Sequence, residues 1–215
     1  MKKIIIATLT LFSVLSTQAQ KNSILLGTDF SLKRVNGYND EKTNNVTFTP
    51  VIAYEVAENW FVGAKTSLSF DKHTYSNATI SASSIQDKSY ETKVGGFIRY
   101  YKPFNETFGM YADLGAGYQQ YRSDSRKTPG NSIYNEADMI VANRVRGYGY
   151  YIDFAPALFI NFKNNFGLNV SFGGVEWNDT KENVALDYTN NNKSKDFDLT
   201  FGKSIHVGVT KKFSF

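Results

Sequence analysis

A side-chain period of two, sustained over eight separate segments, limits what this chain can fold into more than any other feature. Successive side chains of a strand point to opposite faces, so strict alternation of apolar with small or charged residues marks a sheet with two unlike sides. The first segment sets Ile24, Leu26, Thr28, Phe30 and Leu32 against Gly27, Asp29, Ser31 and Lys33. The fourth sets Tyr90, Val94, Ile98 and Tyr100 against Glu91, Lys93, Gly95 and Arg99, and the fifth sets Phe108, Met110, Leu114 and Tyr118 against Gly109, Asp113, Gly115 and Gln119. Segments 46–56, 60–70, 147–160, 166–173 and 197–215 repeat the pattern, with Glu55, Lys65, Asp153 and His206 among their polar positions.

Alternation also suits a soluble sandwich or a lipocalin-like barrel, where the apolar face is a core. Three features favour the opposite sense, apolar side out. The apolar stripes run roughly 9 to 11 residues, the length of a tilted strand crossing a bilayer. Connections alternate between tight (57–59, 103–106, 163–165) and long and polar (36–45, 71–89, 122–143, 178–195), as short periplasmic turns and longer extracellular loops do. Aromatic residues gather at the segment ends: Trp60, Phe104, Phe108, Phe162, Phe166, Phe213 and Phe215 near the tight turns, and Tyr90, Tyr118, Tyr148, Tyr150 and Trp177 toward the long connections. Such rings settle at headgroup level and form two girdles.

Only helices and closed barrels satisfy every backbone hydrogen bond in hydrocarbon, so the segments predict an all-β, eight-stranded antiparallel up-and-down transmembrane β-barrel. Closure joins the first strand near Leu26 to the last near Val207. Eight strands leave a lumen that side chains can fill, so an open pore is not expected. The inward phase carries Asp29, Lys33, Glu55, Lys65, Glu91, Lys93, Arg99, Asp113 and Asp153, near balance in sign, and buried charges must pair. These nine predict a lumen charge network.

Residues 1–19 have the layout of a cleavable signal peptide: basic Lys2 and Lys3, an apolar stretch from Ile4 to Leu15, and the small-x-small pattern Thr17-Gln18-Ala19. Residues 20–215 then form one barrel domain. The chain carries a formal net charge of +4, and without Lys2 and Lys3 the remainder carries +2, with no basic run of the kind that binds nucleic acid. With no cysteine, disulfides, thiolate metal sites and lipid-modified cysteine are excluded. No later stretch holds 18 apolar residues in succession, so no inner-membrane helix is expected. The 14 Tyr and 17 Phe suit a pleated surface.

The eight alternating segments, the leader ending in Ala19-Gln20, and the terminal strand Val207-Gly208-Val209-Thr210-Lys211-Lys212-Phe213-Ser214-Phe215 together resemble the small outer-membrane barrels of OmpA/OmpX type and the outer-membrane β-barrel domains of Bacteroidetes-like bacteria. The resemblance implies a location in the outer membrane of a Gram-negative envelope. It also implies that the final strand, with Phe213 and Phe215, is the signal read by the barrel-assembly machinery. Lys211 departs from the pattern at an apolar position, where a lysine near the interface can snorkel.

The function expected is non-enzymatic: envelope structure or surface interaction through four extracellular loops, by a monomer with no cofactor and an unidentified extracellular ligand. A narrow channel for small solutes is the alternative. Ser204 and His206 share the inward face and Asp29 lies on the first strand, a set that invites comparison with lipid-A-modifying enzymes, yet residues in a packed lumen lack access to lipid. His73 falls in a long connection, and two histidines make no metal site. Arg34, Arg146 and Lys203 fall in the outward phase just beyond the apolar stripes, where arginine pairs with phosphate, and are candidate lipopolysaccharide contacts.

Overall fold

The short connections show why the chain doubles back where it does. Asn59, Asn164 and Asn165 adopt positive φ, which asparagine tolerates better than most residues. In the turn between them, the Asn105 side-chain oxygen accepts hydrogen bonds from the backbone amides of Thr107 and Phe108, each at 2.9 Å. These turns link strands that run antiparallel in a computed structural model, which describes residues 23–36, 42–77, 83–127, 140–184, 191–202 and 205–214. The strands are β1 (Ser23–Asn36), β2 (Lys42–Ala57), β3 (Trp60–Asn77), β4 (Ser83–Pro103), β5 (Phe108–Lys127), β6 (Ile140–Asn161), β7 (Phe166–Ser171), β8 (Val175–Val184), β9 (Asn191–Leu199) and β10 (His206–Ser214). One turn of 3-10 helix, Lys163–Asn165, separates β6 from β7.

The first six strands pair in sequence, β1 pairs with β10, β10 with β7, and β7 with the lower half of β6, so eight strand positions close into a ring. The expected closure is present, in a register that sets Leu26 opposite Lys211 and Val207 opposite Phe30. β7 and β8 together occupy the seventh position and β9 and β10 the eighth, because both strands are interrupted at one height. On β6, Ala155 and Pro156 lie between the pairs Phe154–Val175 and Ala157–Ser171, so two residues face three, Phe172 to Gly174. Proline cannot donate to a ladder, and the neighbouring strand bulges where it would have to. Opposite that bulge the last strand breaks between Leu199 and His206, and Thr200 N bonds Gly174 O at 2.9 Å and Gly202 N bonds Phe172 O at 2.8 Å. The single strand expected over 197–215 is therefore two.

The strands also exceed the stripes from which they were read. β4, β5 and β6 run 21, 20 and 22 residues, extending well into the segments expected to be loops, because ladder bonds are made by backbone and continue through Ser, Thr and Asn. The leader, the connections 37–41, 78–82, 128–139 and 185–190, and Lys203, Ser204 and Phe215 lie outside the described residues, as do the side chains of Lys33 and Arg34.

Large apolar side chains line the outside of the ring. Leu26, Phe30, Ile52, Leu68, Val94, Ile98, Leu114, Ile152, Leu158, Val207 and Val209 are all exposed. Aromatic pairs border this belt: Trp60 with Tyr100 (4.7 Å between centroids) and Phe104 with Phe108 (5.2 Å) toward the short turns, Phe70 with Tyr90 (5.1 Å) and Tyr118 with Tyr150 (5.9 Å) toward the long connections.

Candidate functional site

The inside of the ring is built in three levels. At the short-turn end, Leu25, Phe61, Phe97, Tyr111 and Phe159 are buried, and Tyr101 packs on Phe61, Tyr111 and Phe159 with centroids 5.3, 5.2 and 5.0 Å away. Sequence alone does not reveal this aromatic floor, because the alternation reads the inward face as polar and glycine-rich. Its signal was present in the phase, since Phe61, Phe97, Tyr101, Tyr111 and Phe159 all occupy inward positions.

Arg99 sits in this floor, 1% exposed, and donates from Nε and Nη2 to the two carboxylate oxygens of Asp113 at 2.6 and 2.8 Å. Its Nη1 donates to the Tyr101 hydroxyl at 3.1 Å, and the guanidinium carbon lies 3.9 Å from the Tyr111 ring centre. A bidentate pair with stacked rings uses the planar guanidinium in a way no lysine can. Beside it Glu55 takes an ion pair from Lys212 at 2.7 Å and a hydrogen bond from the Ser23 hydroxyl, linking β2 to both ends of the described chain.

Above the floor is a cavity of about 330 Å³ lined by Asp29, Lys65, Glu91, Lys93, Asp113, Asp153, Glu176 and His206. Lys65 bonds Asp153 across the ring at 2.6 Å, and Lys93 reaches Glu176 at 2.6 Å and Glu91 at 3.5 Å. Asp29 stands against Gly208 over the β1–β10 seam. Of the nine expected lumen charges, eight have described side chains, and the structure places them in this floor and cavity. Glu176 and Lys212 complete the pairs and were missed, because Glu176 follows the strand break and Lys212 lies among residues read as terminal signal. The interior is thus filled at the floor and hollow above it, a correction to the expectation of a lumen filled throughout.

Glycine makes the cross-ring pair possible. A Cβ on Gly115 would lie 2.8 Å from Lys65 Nζ and closer still to an Asp153 carboxylate oxygen. Gly115→Ala should therefore cost about 1 to 3 kcal/mol as overpacking, read as a lowered urea midpoint, and cost less when Lys65→Ala and Asp153→Ala are already present. An equal loss in both backgrounds would show that the crowding is with backbone.

The third level opens toward the long connections, a space of about 500 Å³ lined by Asp71, Glu91, Glu182, Asp196 and Asp198 with Gln119 and Asn178. The Tyr121 hydroxyl donates to Glu182, and Gln119 Nε2 donates to Asn178 at 2.9 Å. Among the described residues no group of three or more His, Asp or Glu side chains is placed to hold a metal ion. His206 lines the cavity, with Ser171 and Ser31 as its register partners on either side. His73 and Thr43 form a hydrogen bond at 2.7 Å on the adjoining walls of β3 and β2. Arg146 is exposed on the outer wall, where Arg122 is its register partner, and Phe213 is exposed near the short turns.

No family model matches the chain, and no curated protein matches it. Solved structures do. The outer membrane protein OprG from Pseudomonas aeruginosa is similar over 90% of this chain and 96% of its own, at 15% identity and a TM-score of 0.47. Ail, the attachment invasion locus protein of Yersinia pestis, is similar over 90% and 97%, at 14% identity and 0.35. The N-terminal β-barrel domain of Pseudomonas aeruginosa OprF is similar over 90% and 100%, at 11% identity and 0.33. These neighbours are small outer-membrane β-barrel proteins, and at such identities the chain is similar to them in fold alone.

Proposed function

We propose that the chain is exported, is inserted by the barrel-assembly machinery, and serves as a non-enzymatic outer-membrane barrel whose long-connection end takes part in envelope structure or surface interaction. The observation that carries this reading is the exposed apolar belt, bordered by aromatic pairs, around a charged interior. In water such a belt would be far larger than the apolar patches soluble monomers expose. In hydrocarbon it is the favourable surface, and every ladder bond stays satisfied by ring closure.

A narrow channel is the second reading, favoured by the hollow middle level with its charged lining. Against it stands the floor, where Arg99, Tyr101, Tyr111 and Phe159 close the short-turn end. Planar-bilayer recordings separate the two: no unitary conductance is expected from the intact floor.

Orientation is testable because the chain has no cysteine. Lys195→Cys on β9, exposed, and Asn105→Cys in a short turn, also exposed, sit at opposite ends. A membrane-impermeant maleimide added to intact cells should label Lys195→Cys and spare Asn105→Cys until the cells are broken. The reverse labelling would invert the topology, and recovery of the protein as a detergent-free monomer would remove the membrane reading.

A further inference from the structure

On the outer wall, from the aromatic border toward the long connections, two adjacent register rows cross β3, β4, β5 and β6. One reads Phe70, Tyr90, Arg122, Arg146, and the next toward the long connections reads Lys72, Lys88, Asp124, Arg144. All eight lie in the outward phase. They set five cations against one carboxylate within four strands, and neighbouring strands stand only about 4.8 Å apart. Like charges so close repel unless something anionic lies among them. Asp124 is part of the answer. It is 7% exposed, and its two oxygens take 2.7 Å ion pairs from Arg122 Nη2 and Arg144 Nε. One carboxylate cannot neutralise both guanidiniums it pairs, and it holds them in fixed positions with the Arg122 and Arg144 side chains still 42% and 38% exposed.

We propose that this patch, Lys88, Arg122, Arg144 and Arg146 organised by Asp124, binds the phosphate of an outer-leaflet lipid. The inference rests on the membrane reading above and names a partner for it. Depth selects the source of the phosphate. The lower row contains both the Phe70–Tyr90 ring pair and Arg122–Arg146, so the cations begin where the aromatic border ends. The next outward positions below Arg122 and Arg146 are Gln120 and Tyr148, followed by Tyr118 and Tyr150, which belong to that border. A group held there has its acyl chains against the apolar belt and its phosphate against guanidinium, a fork that matches phosphate oxygens bidentately. A soluble polyanion would be met better by cations at the hairpin tips than by a stripe beginning at the belt. Of the residues expected from sequence to touch lipopolysaccharide, Arg146 is in the patch. Arg122 was missed because it falls in the stretch 122–143 read as a loop, and Arg144 because it lies between that stretch and the sixth alternating segment.

The test uses the mature chain refolded into phosphatidylcholine vesicles, with and without bisphosphorylated lipid A, reading the thermal unfolding midpoint and, from a lipid A titration, the apparent affinity. Lipid A should raise the midpoint of the wild type, whereas dephosphorylated lipid A should not. Arg122→Gln with Arg144→Gln should lose roughly tenfold or more in affinity. Since that variant strips Asp124 of both partners, Lys88→Gln with Arg146→Gln provides a second test that leaves the Asp124 pairs intact, and it should weaken binding as well. Lys195→Gln, a cation on β9 away from the patch, should keep the full shift.

Several results would overturn the proposal: equal loss in Lys195→Gln, no lipid A effect on an inserted wild type, or an equal stabilisation by soluble tripolyphosphate, which would make the patch a site for soluble anions. Failure of the wild type to insert at all would instead remove the membrane reading on which the site depends.

Discussion

Arg99→Ala should lower the unfolding free energy of the barrel by about 3 to 5 kcal/mol, the usual cost of breaking a buried ion pair by removing one partner. The reason is what remains. Asp113 is 7% exposed and would be left at the floor of the lumen with no guanidinium to answer it, while the Tyr111 ring would lose the cation stacked at 3.9 Å. Urea unfolding in detergent micelles, followed by the mobility difference between folded and unfolded barrels on a gel, measures this. Arg99→Lys should restore only part of the loss, because an ammonium cannot take both carboxylate oxygens in one plane and stack as well. Replacing both partners together, as Arg99→Met with Asp113→Leu, should cost less than Arg99→Ala alone. A loss below about 1 kcal/mol for Arg99→Ala would be the size seen for solvated surface pairs, and would mean that water reaches this floor.

The neighbouring residue should fail for the opposite reason. Ile98 is 44% exposed where Arg99 is 1%, one step along the same strand, and its register partner Leu114 is part of the outer belt. Ile98→Lys should cost about 2 to 4 kcal/mol in a bilayer, the penalty for a basic side chain near the midplane of a barrel's lipid face. Ile98→Val should cost little. The comparison is made in vesicles of defined lipid, where the substitution should also slow insertion. A harmless Ile98→Lys would place this face in water and turn the chain into a soluble barrel worn inside out. Arg99 and Ile98 therefore test the two faces of the wall independently, since neither result determines the other.

The Ile98/Arg99 contrast was legible in the sequence, because a period of two assigns faces without knowledge of any partner. The Arg99–Asp113 pair was within reach too: a tight turn over 103–107 sets the β4–β5 register, and that register places the two opposite each other. Lys65–Asp153 was not, since its members are 88 residues apart and meet across the ring, at a height that depends on the stagger of all the strands between them. The break between Leu199 and His206 leaves the alternation in phase, so nothing in the pattern marks it, whereas the break at Gly173 moves the inward phase from Asn169 and Ser171 to Glu176 and Asn178, a slip that lies just past the end of the seventh segment. The upper parts of the long strands were invisible for a different reason. There both faces are polar, contrast vanishes, and a hydrogen-bonded hairpin reads like a loop. That same blindness hid Arg122.

The extra length of those hairpins has a mechanical consequence. At about 3.3 Å per residue, a strand of the length of β6 runs roughly 70 Å, or about 55 Å of height at a tilt near 40°, while the apolar band is only about 25 Å tall. Roughly half the length of such a strand therefore stands clear of lipid as part of a stiff collar, cross-braced by backbone pairing such as that of Ser89 with Ser123 and Asp124 with Arg144. A partner meeting that collar meets side chains whose backbone is already ordered. The conformational entropy that loose loops surrender on binding is then largely absent, and even a small contact at the rim keeps most of its interaction energy as affinity.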